Sequence, residues 1–324
     1  MCTLLLSLIA CTKNGEIQSA TEEAEPTYVL FSLNVHDWTH PAESVTVVNK
    51  VLDMHEQYNI PVEVYLDDQI TQIYNKEAPE LLERLRTAGP LIVVSYHIRP
   101  PTPYYQEFDF DYLEELDEET LREVLLDYEE HSLDLETGQP TDEPGGYEFV
   151  KEIMGYPPLT VAGFIKTTNT GEMLVEIYTK KGAQFIVQHS GSSSLGEKIG
   201  ELYIRPETTE IKLYESIGQD AATVISDKEQ SIATTRDKKF IGIKMHEDDF
   251  YAEGVSPWRY VYYNENNQHP DKPPYNLTGW QDAPLLTAEQ QEAMWQHYET
   301  ALAFIAEHPE RFEALNTLGV KELL

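Results

Sequence analysis

Apolar residues arrive along this chain in short unbroken runs, separated by longer stretches in which they recur at helical spacing. Tyr28–Val35, Pro61–Leu66, Leu91–Tyr96, Leu159–Ile165, Gln184–Val187, Leu202–Ile204 and Phe240–Met245 each read as a strand. Continuous aliphatic and β-branched runs of this length suit strands covered on both faces, as in a parallel sheet, and not the alternation of a half-wet antiparallel one. Between them, Pro41–Asn59 carries Val45, Val48, Val51 and Leu52 on one face, continued by His55 and Tyr58. Ala78–Ala88 places Leu81, Leu82 and Leu85 together and stops at Gly89-Pro90. Asp117–Leu133, Tyr147–Met154 and Gly171–Lys181 follow as further helices, and Thr287–Glu307 opens on a capping box, Thr287 with Gln290. The alternation predicts an α/β fold, a seven- or eight-stranded TIM-like (β/α) barrel, incomplete or distorted, filling residues 27–324 as one domain. An open doubly wound sheet is the alternative, but the Gly-rich phosphate turn such folds often use is missing after the first strand.

Three of the runs end on the same chemistry. The first leads into His36-Asp37-Trp38, the third into His97-Ile98-Arg99-Pro100-Pro101, and the last into His246-Glu247-Asp248-Asp249. In parallel α/β folds, functional groups gather at the carboxyl ends of the strands, so these imidazoles and carboxylates are expected to converge on one substrate or cation. Neighbouring residues on a regular strand point to opposite faces, so His36 and Asp37 can both face such a site only past the strand end. Asp67, Asp68, His189 and Glu247 are reserve candidates near strand ends.

Charge narrows the partners. With 57 acidic against 23 basic residues the net charge is −34, and a surface of that sign offers phosphates no cationic footprint, which argues against nucleic acid. The two cysteines, Cys2 and Cys11, precede the predicted domain, so it holds no disulfide. Leu4–Ala10 ending in Cys11 resembles a bacterial lipobox, with Cys11 as the lipidated residue, although no Lys or Arg precedes it. Residues 12–26 then form a flexible tether, and the expected location is the bacterial cell envelope, on a lipid anchor. No later apolar stretch approaches the roughly 18 residues of a membrane-spanning helix.

The three strand-end motifs together resemble the polysaccharide deacetylase family of the glycoside hydrolase/deacetylase barrel superfamily, over roughly Thr27 to Phe250. By that resemblance His36 stands where the family's general base stands, and Asp37 in the place of its metal-binding aspartate. His97 matches the first of two metal-binding histidines, whereas Pro101 takes the place of the second and cannot coordinate a cation. The resemblance implies a divalent ion, zinc above all, held by Asp37, His97 and His36, with His36 substituting for the missing nitrogen. Arg99-Pro100-Pro101 resembles the family's arginine–proline motif, with Arg205-Pro206 a second candidate, and His246 the histidine that supplies its general acid.

Three functions follow. The first is a metal-dependent hydrolase removing acyl groups from a glycan, with Asp37 and Glu247 as carboxylates of the site, His246 protonating the leaving group and Arg99 orienting a substrate oxygen. The second is a metal-independent glycosidase in which Asp37 faces Glu247 or Asp248. The third is a non-catalytic carbohydrate-binding surface lipoprotein. For all three the aromatic stretch from Trp258 to Tyr275, with Tyr104 and Tyr105, is expected to stack on sugar rings.

Overall fold

The computed structural model describes residues 25–105, 108–109, 111–163, 168–188, 192–232, 238–264 and 268–324. Cys11, His189 and the end of the run at Ile165 lie outside the described residues. The strands are β1 (Thr27–Val35), β2 (Val62–Leu66), β3 (Ile92–His97), β4 (His131–Leu133), β5 (Pro140–Pro144), β6 (Thr160–Ala162), β7 (Phe185–Val187), β8 (Lys198–Ile199), β9 (Leu202–Ile204), β10 (Thr209–Lys212), β11 (Lys239–His246) and β12 (Phe312–Leu315). The main sheet runs β10-β11-β1-β2-β3-β6-β7-β9-β8. Only β8 pairs antiparallel within it, and β4 and β5 form a separate hairpin.

This sheet curls into an incomplete, distorted barrel. Its two ends are bridged by one stretch of chain: Arg205 N–H bonds to the carbonyl of Ile186 in β7, and Thr208 N–H to that of Phe240 in β11. The central β1 pairs along its length with β11, and on its other side first with β12 and then with β2. Being flanked on both sides and both faces, it is buried from end to end, and its sequence is apolar except at Thr27, Ser32 and Asn34.

The two-residue period of β1 sorts its side chains. Val29, Phe31, Leu33 and Val35 pack outward in the main core with Val48, Val51 and Leu52 of the helix Pro41–Tyr58. Tyr28 and Leu30 point inward and meet Phe240, Phe185 and Val320, so the barrel's lower end is plugged by the C-terminal helix Thr317–Leu323. Above that apolar layer sits a charged one. Glu63 accepts from Ser95 Oγ at 2.6 Å and Thr317 Oγ1 at 2.5 Å, and Arg205 pairs with Glu63 and Glu207 at 3.5 Å each. Inward residues of the next layer, His36, His97 and His246, stand at the mouth.

Of the helices absent from the periodicity reading, the two longest are Asp68–Glu77 and Ala221–Ser231. Each starts on an aspartate whose carboxylate accepts a backbone N–H of the first turn, Asp67 from Ile70 and Asp220 from Thr223. The helix predicted to run to Leu133 ends at Glu130, because His131–Leu133 pairs into the hairpin instead. The capping box at Thr287 and Gln290 forms as read, with both reciprocal bonds present. Among the described residues, no helix is long and apolar enough to cross a membrane.

Candidate functional site

The mouth of the barrel is built around three imidazoles. The ring of His36 stacks on that of His97, with centroids 4.9 Å apart, and meets His246 edge-on at 5.2 Å. Strand alternation brings them together: His36 continues the inward row of β1, while His97 and His246 are the last residues of β3 and β11. His36 and His97 are buried and His246 partly so.

Each ring is anchored through Nδ1 in a way that assigns its tautomer. His97 donates Nδ1–H to the Ile98 carbonyl at 2.7 Å, which leaves Nε2 as its basic nitrogen. His246 points Nδ1 at the Asp249 carboxylate, 3.3 Å away, and that same oxygen accepts the His246 backbone N–H at 2.6 Å. The His246 side chain also faces the Asp249 backbone N–H, so the pair is a histidine–carboxylate dyad with a basic Nε2 in the tautomer that carries its proton on Nδ1. His36 is the reverse case. The indole N–H of Trp258, a donor and never an acceptor, points at its Nδ1 at 2.7 Å, so Nδ1 must carry the lone pair and Nε2 the proton.

Burial keeps His36 and His246 neutral. It pushes His36 well below the usual histidine value, with His97, His246 and Lys244 adding to the shift, and does the same to His246 with Lys244 second. Lys244, inward on β11 one pleat before His246, is itself lowered by burial. Asp249 is raised to about 7, also by burial.

Several residues expected at the site are occupied elsewhere. Asp37 is fully buried and its carboxylate is consumed by the Thr39 hydroxyl at 2.5 Å, the Tyr251 hydroxyl at 2.8 Å and His40 Nδ1 at 3.3 Å. Burial lowers His40, but its bond to Asp37 and the charges of Asp37, Glu43 and Asp248 together outweigh that and leave it raised. Arg99, likewise fully buried, pairs with Asp68 at 3.0 Å and donates to the carbonyls of Tyr128 and His131 at 2.6 Å each, so it ties loops together. Glu247 accepts the backbone N–H groups of His36 and Asp37 on one oxygen, clasping the end of β1 to the end of β11. Asp67 caps the helix after β2, and Asp68 is the partner of Arg99.

The aromatic stretch is turned inward. Trp258 is 2 % exposed and Tyr262 and Tyr263 are buried with it, so these rings roof the mouth and do not offer their faces to a sugar in this arrangement. Tyr105 packs edge-on against Trp258 and tilted against His97, and Tyr104 is fully buried.

A divalent ion needs about three protein donors. Among the described residues one such grouping exists: His36, Glu247 and Asp248 bring one donor atom each within 4.8 Å of the others. Glu247 Oε2 and Asp248 Oδ1 are buried without a hydrogen-bond partner, and the proximity of carboxylates in a dry site holds both groups above the usual carboxylate range, burial being the first cause. Those two oxygens suit a cation. His36 does not, because a metal-binding histidine donates its other N–H outward, whereas here the other nitrogen receives a donor and Nε2 is left protonated. The three groups therefore do not form a ligand set as they stand, and neither Asp37 nor His97 belongs to the grouping.

Asp249 enters the sequence reading only as the end of the His246 motif, without a role, and Lys244 is absent from it; both carry a local signal, Asp249 three residues after His246 and Lys244 two residues before it on the same face of the strand.

No protein-family model matches the chain, and no curated protein matches it. Solved structures do. A 4-alpha-glucanotransferase from Thermococcus litoralis is similar at a TM-score of 0.50 and 14% identity over 93% of this chain, which spans 41% of that enzyme's length. The Puue allantoinase is similar at 0.50 and 12% identity, with 91% of this chain and 89% of that one covered. Polysaccharide deacetylases are also among the similar structures, including the peptidoglycan deacetylase PdaC from Bacillus subtilis, at 0.40 and 11% identity over 92% and 91% of the two chains. At these identities the likeness is one of fold.

Proposed function

We propose that this chain is a hydrolase that removes acyl groups from a carbohydrate at the mouth of its barrel, by imidazole acid–base chemistry. The observation that carries the reading is the His246–Asp249 dyad set beside His36 and His97. A neutral imidazole whose Nδ1–H is held by a carboxylate is oriented to take a proton on Nε2. In the reaction, Nε2 of His246 removes a proton from water as the water oxygen bonds to the acyl carbon, and the carbonyl π electrons move onto oxygen. Nε2–H of His36 donates to that oxyanion. Collapse reforms the carbonyl and breaks the bond to nitrogen or oxygen, and the leaving group takes the proton that His246 holds.

The similar deacetylases are named for acylated glycans, which supports the carbohydrate as substrate class. The lipobox-like run ending at Cys11 supports an envelope location on a lipid anchor, for which mass spectrometry of the membrane-bound protein is the test. Zinc dependence of the same hydrolysis has only the two orphaned carboxylate oxygens behind it, and the indole donor on His36 Nδ1 argues against it. A glycosidase is not supported, since Asp37 is spent on Thr39, His40 and Tyr251.

The test is acetate release from a panel of acetylated glycans by the purified chain and by His246→Ala. Acetate released by the native chain and lost in the variant supports the reading. Glycan cleavage without acetate release, or binding with no turnover on any member, rejects it.

A further inference from the structure

We propose that Trp258 fixes His36 as the Nε2–H tautomer, so that this ring serves the mouth as a hydrogen-bond donor and not as a ligand for a cation. The inference deepens the hydrolase reading and rests on it for the catalytic consequence only. The tautomer and the metal affinity are measurable without any substrate.

The argument is one of matching donors to acceptors. An indole nitrogen has a proton and no lone pair, so the 2.7 Å bond from Trp258 demands a lone pair on His36 Nδ1. A neutral ring then has its proton on Nε2. Turning the ring over would put a C–H against the indole N–H in a place where both residues are at most 3 % exposed and no water replaces the lost bond. The ring is also held on its other sides, by the stacked His97, by the edge of His246, and by Trp258 itself at 5.6 Å between centroids. Trp258 is in turn braced by Tyr105 and Tyr263, at 5.9 and 6.0 Å. Backbone anchoring is equally firm, since His36 N–H is fixed to Glu247 at 2.7 Å. Trp258 thus acts as a positioning residue. It makes His36 the opposite of its neighbours, one donor nitrogen beside two basic ones, which is the complement a carbonyl oxygen and an attacking water require.

The experiment uses the full chain. Histidine side-chain nitrogen-15 spectra, with His36→Gln to assign the ring, are expected to show His36 as Nε2–H in the native protein and shifted towards Nδ1–H in Trp258→Phe, which keeps the bulk and removes the donor. Calorimetric titration with zinc chloride is expected to show no stoichiometric site in the native chain. In Trp258→Phe it should show affinity gained by about 10- to 100-fold, the scale on which outer partners tune a ligand histidine. A native His36 reading as Nδ1–H, stoichiometric zinc abolished by His36→Gln, or an unchanged tautomer in Trp258→Phe overturns the proposal. If Trp258→Phe does not fold, the native spectrum and titration decide alone. A panel of glycans left intact by a protein with the stated tautomer rejects the hydrolase reading and leaves this inference standing.

Discussion

Tyr251 donates its hydroxyl to the carboxylate of Asp37, 2.8 Å away and 214 positions earlier in the chain. With the Thr39 hydroxyl and His40 on the same group, this aspartate holds the turn after β1 to the segment after β11. Its role is to accept buried donors, and that gives it a different mutational signature from a ligand or a base.

Asp37→Ala is expected to destabilise the protein by about 3–5 kcal/mol, because it leaves His40 and two hydroxyls buried without their acceptor. Denaturant unfolding measures the loss. Unchanged stability accompanied by lost turnover would return Asp37 to the site.

Arg99 gives the parallel case on the third strand. Arg99→Met abandons Asp68 in a fully buried position and frees two carbonyls, at a cost of about 3–5 kcal/mol, and Arg99→Lys recovers little because an ammonium cannot span those partners. Thermal melts of both variants check this. Folded variants of native stability that bind substrate poorly would show that the guanidinium faces the ligand.

Acid should silence the dyad in two separable steps. Asp249, raised to about 7 by burial and faced by Lys244, Lys212 and Glu215, must be ionised to hold the Nδ1–H of His246, so turnover falls as pH drops through about 7. In Asp249→Asn the limb moves down towards the titration of His246 itself, which burial places well below the usual histidine value. The sign for stability is opposite. A carboxyl whose folded value lies above its unfolded one binds the extra proton in the native state, so its contribution falls as pH rises from the ordinary carboxylate range to about 7. That slope is absent in the variant. An identical rate profile for Asp249→Asn would detach the carboxylate from the histidine.

Gly242 has no room for a side chain. A Cβ there would sit 2.2 Å from Glu207 Oε2, inside the charged layer that holds Arg205. Gly242→Ala is expected to cost about 1–3 kcal/mol by overpacking, and Glu207→Gln in the same chain should not add its full separate cost, because both act on one contact. A double-mutant cycle by denaturation tests the coupling, and strict additivity would show that the two sites are independent.

Sequence alone determined the alternation of buried strands and helices, because a strand covered on both faces must be apolar throughout and a helix packed on one side must repeat its apolar residues every three or four positions. The strands β1, β2, β3, β7, β9 and β11 lie within about two residues of the runs that announce them, and the same runs put His36, His97 and His246 at strand ends. Local bonds were legible too: the Thr287 cap closes within four residues. What the tertiary structure decided was which neighbour each polar group meets. His36 and Asp37 are adjacent in sequence, yet one stacks with His97 and meets His246 at the mouth while the other accepts from Thr39, His40 and Tyr251. Arg99 found Asp68 in the next strand's turn, and Trp258 came from 222 positions away to place a proton donor on His36. Such partners are fixed by how the barrel curls and bring no periodic mark with them, so the tautomer of one imidazole, and with it the character of the site, is a property of the fold.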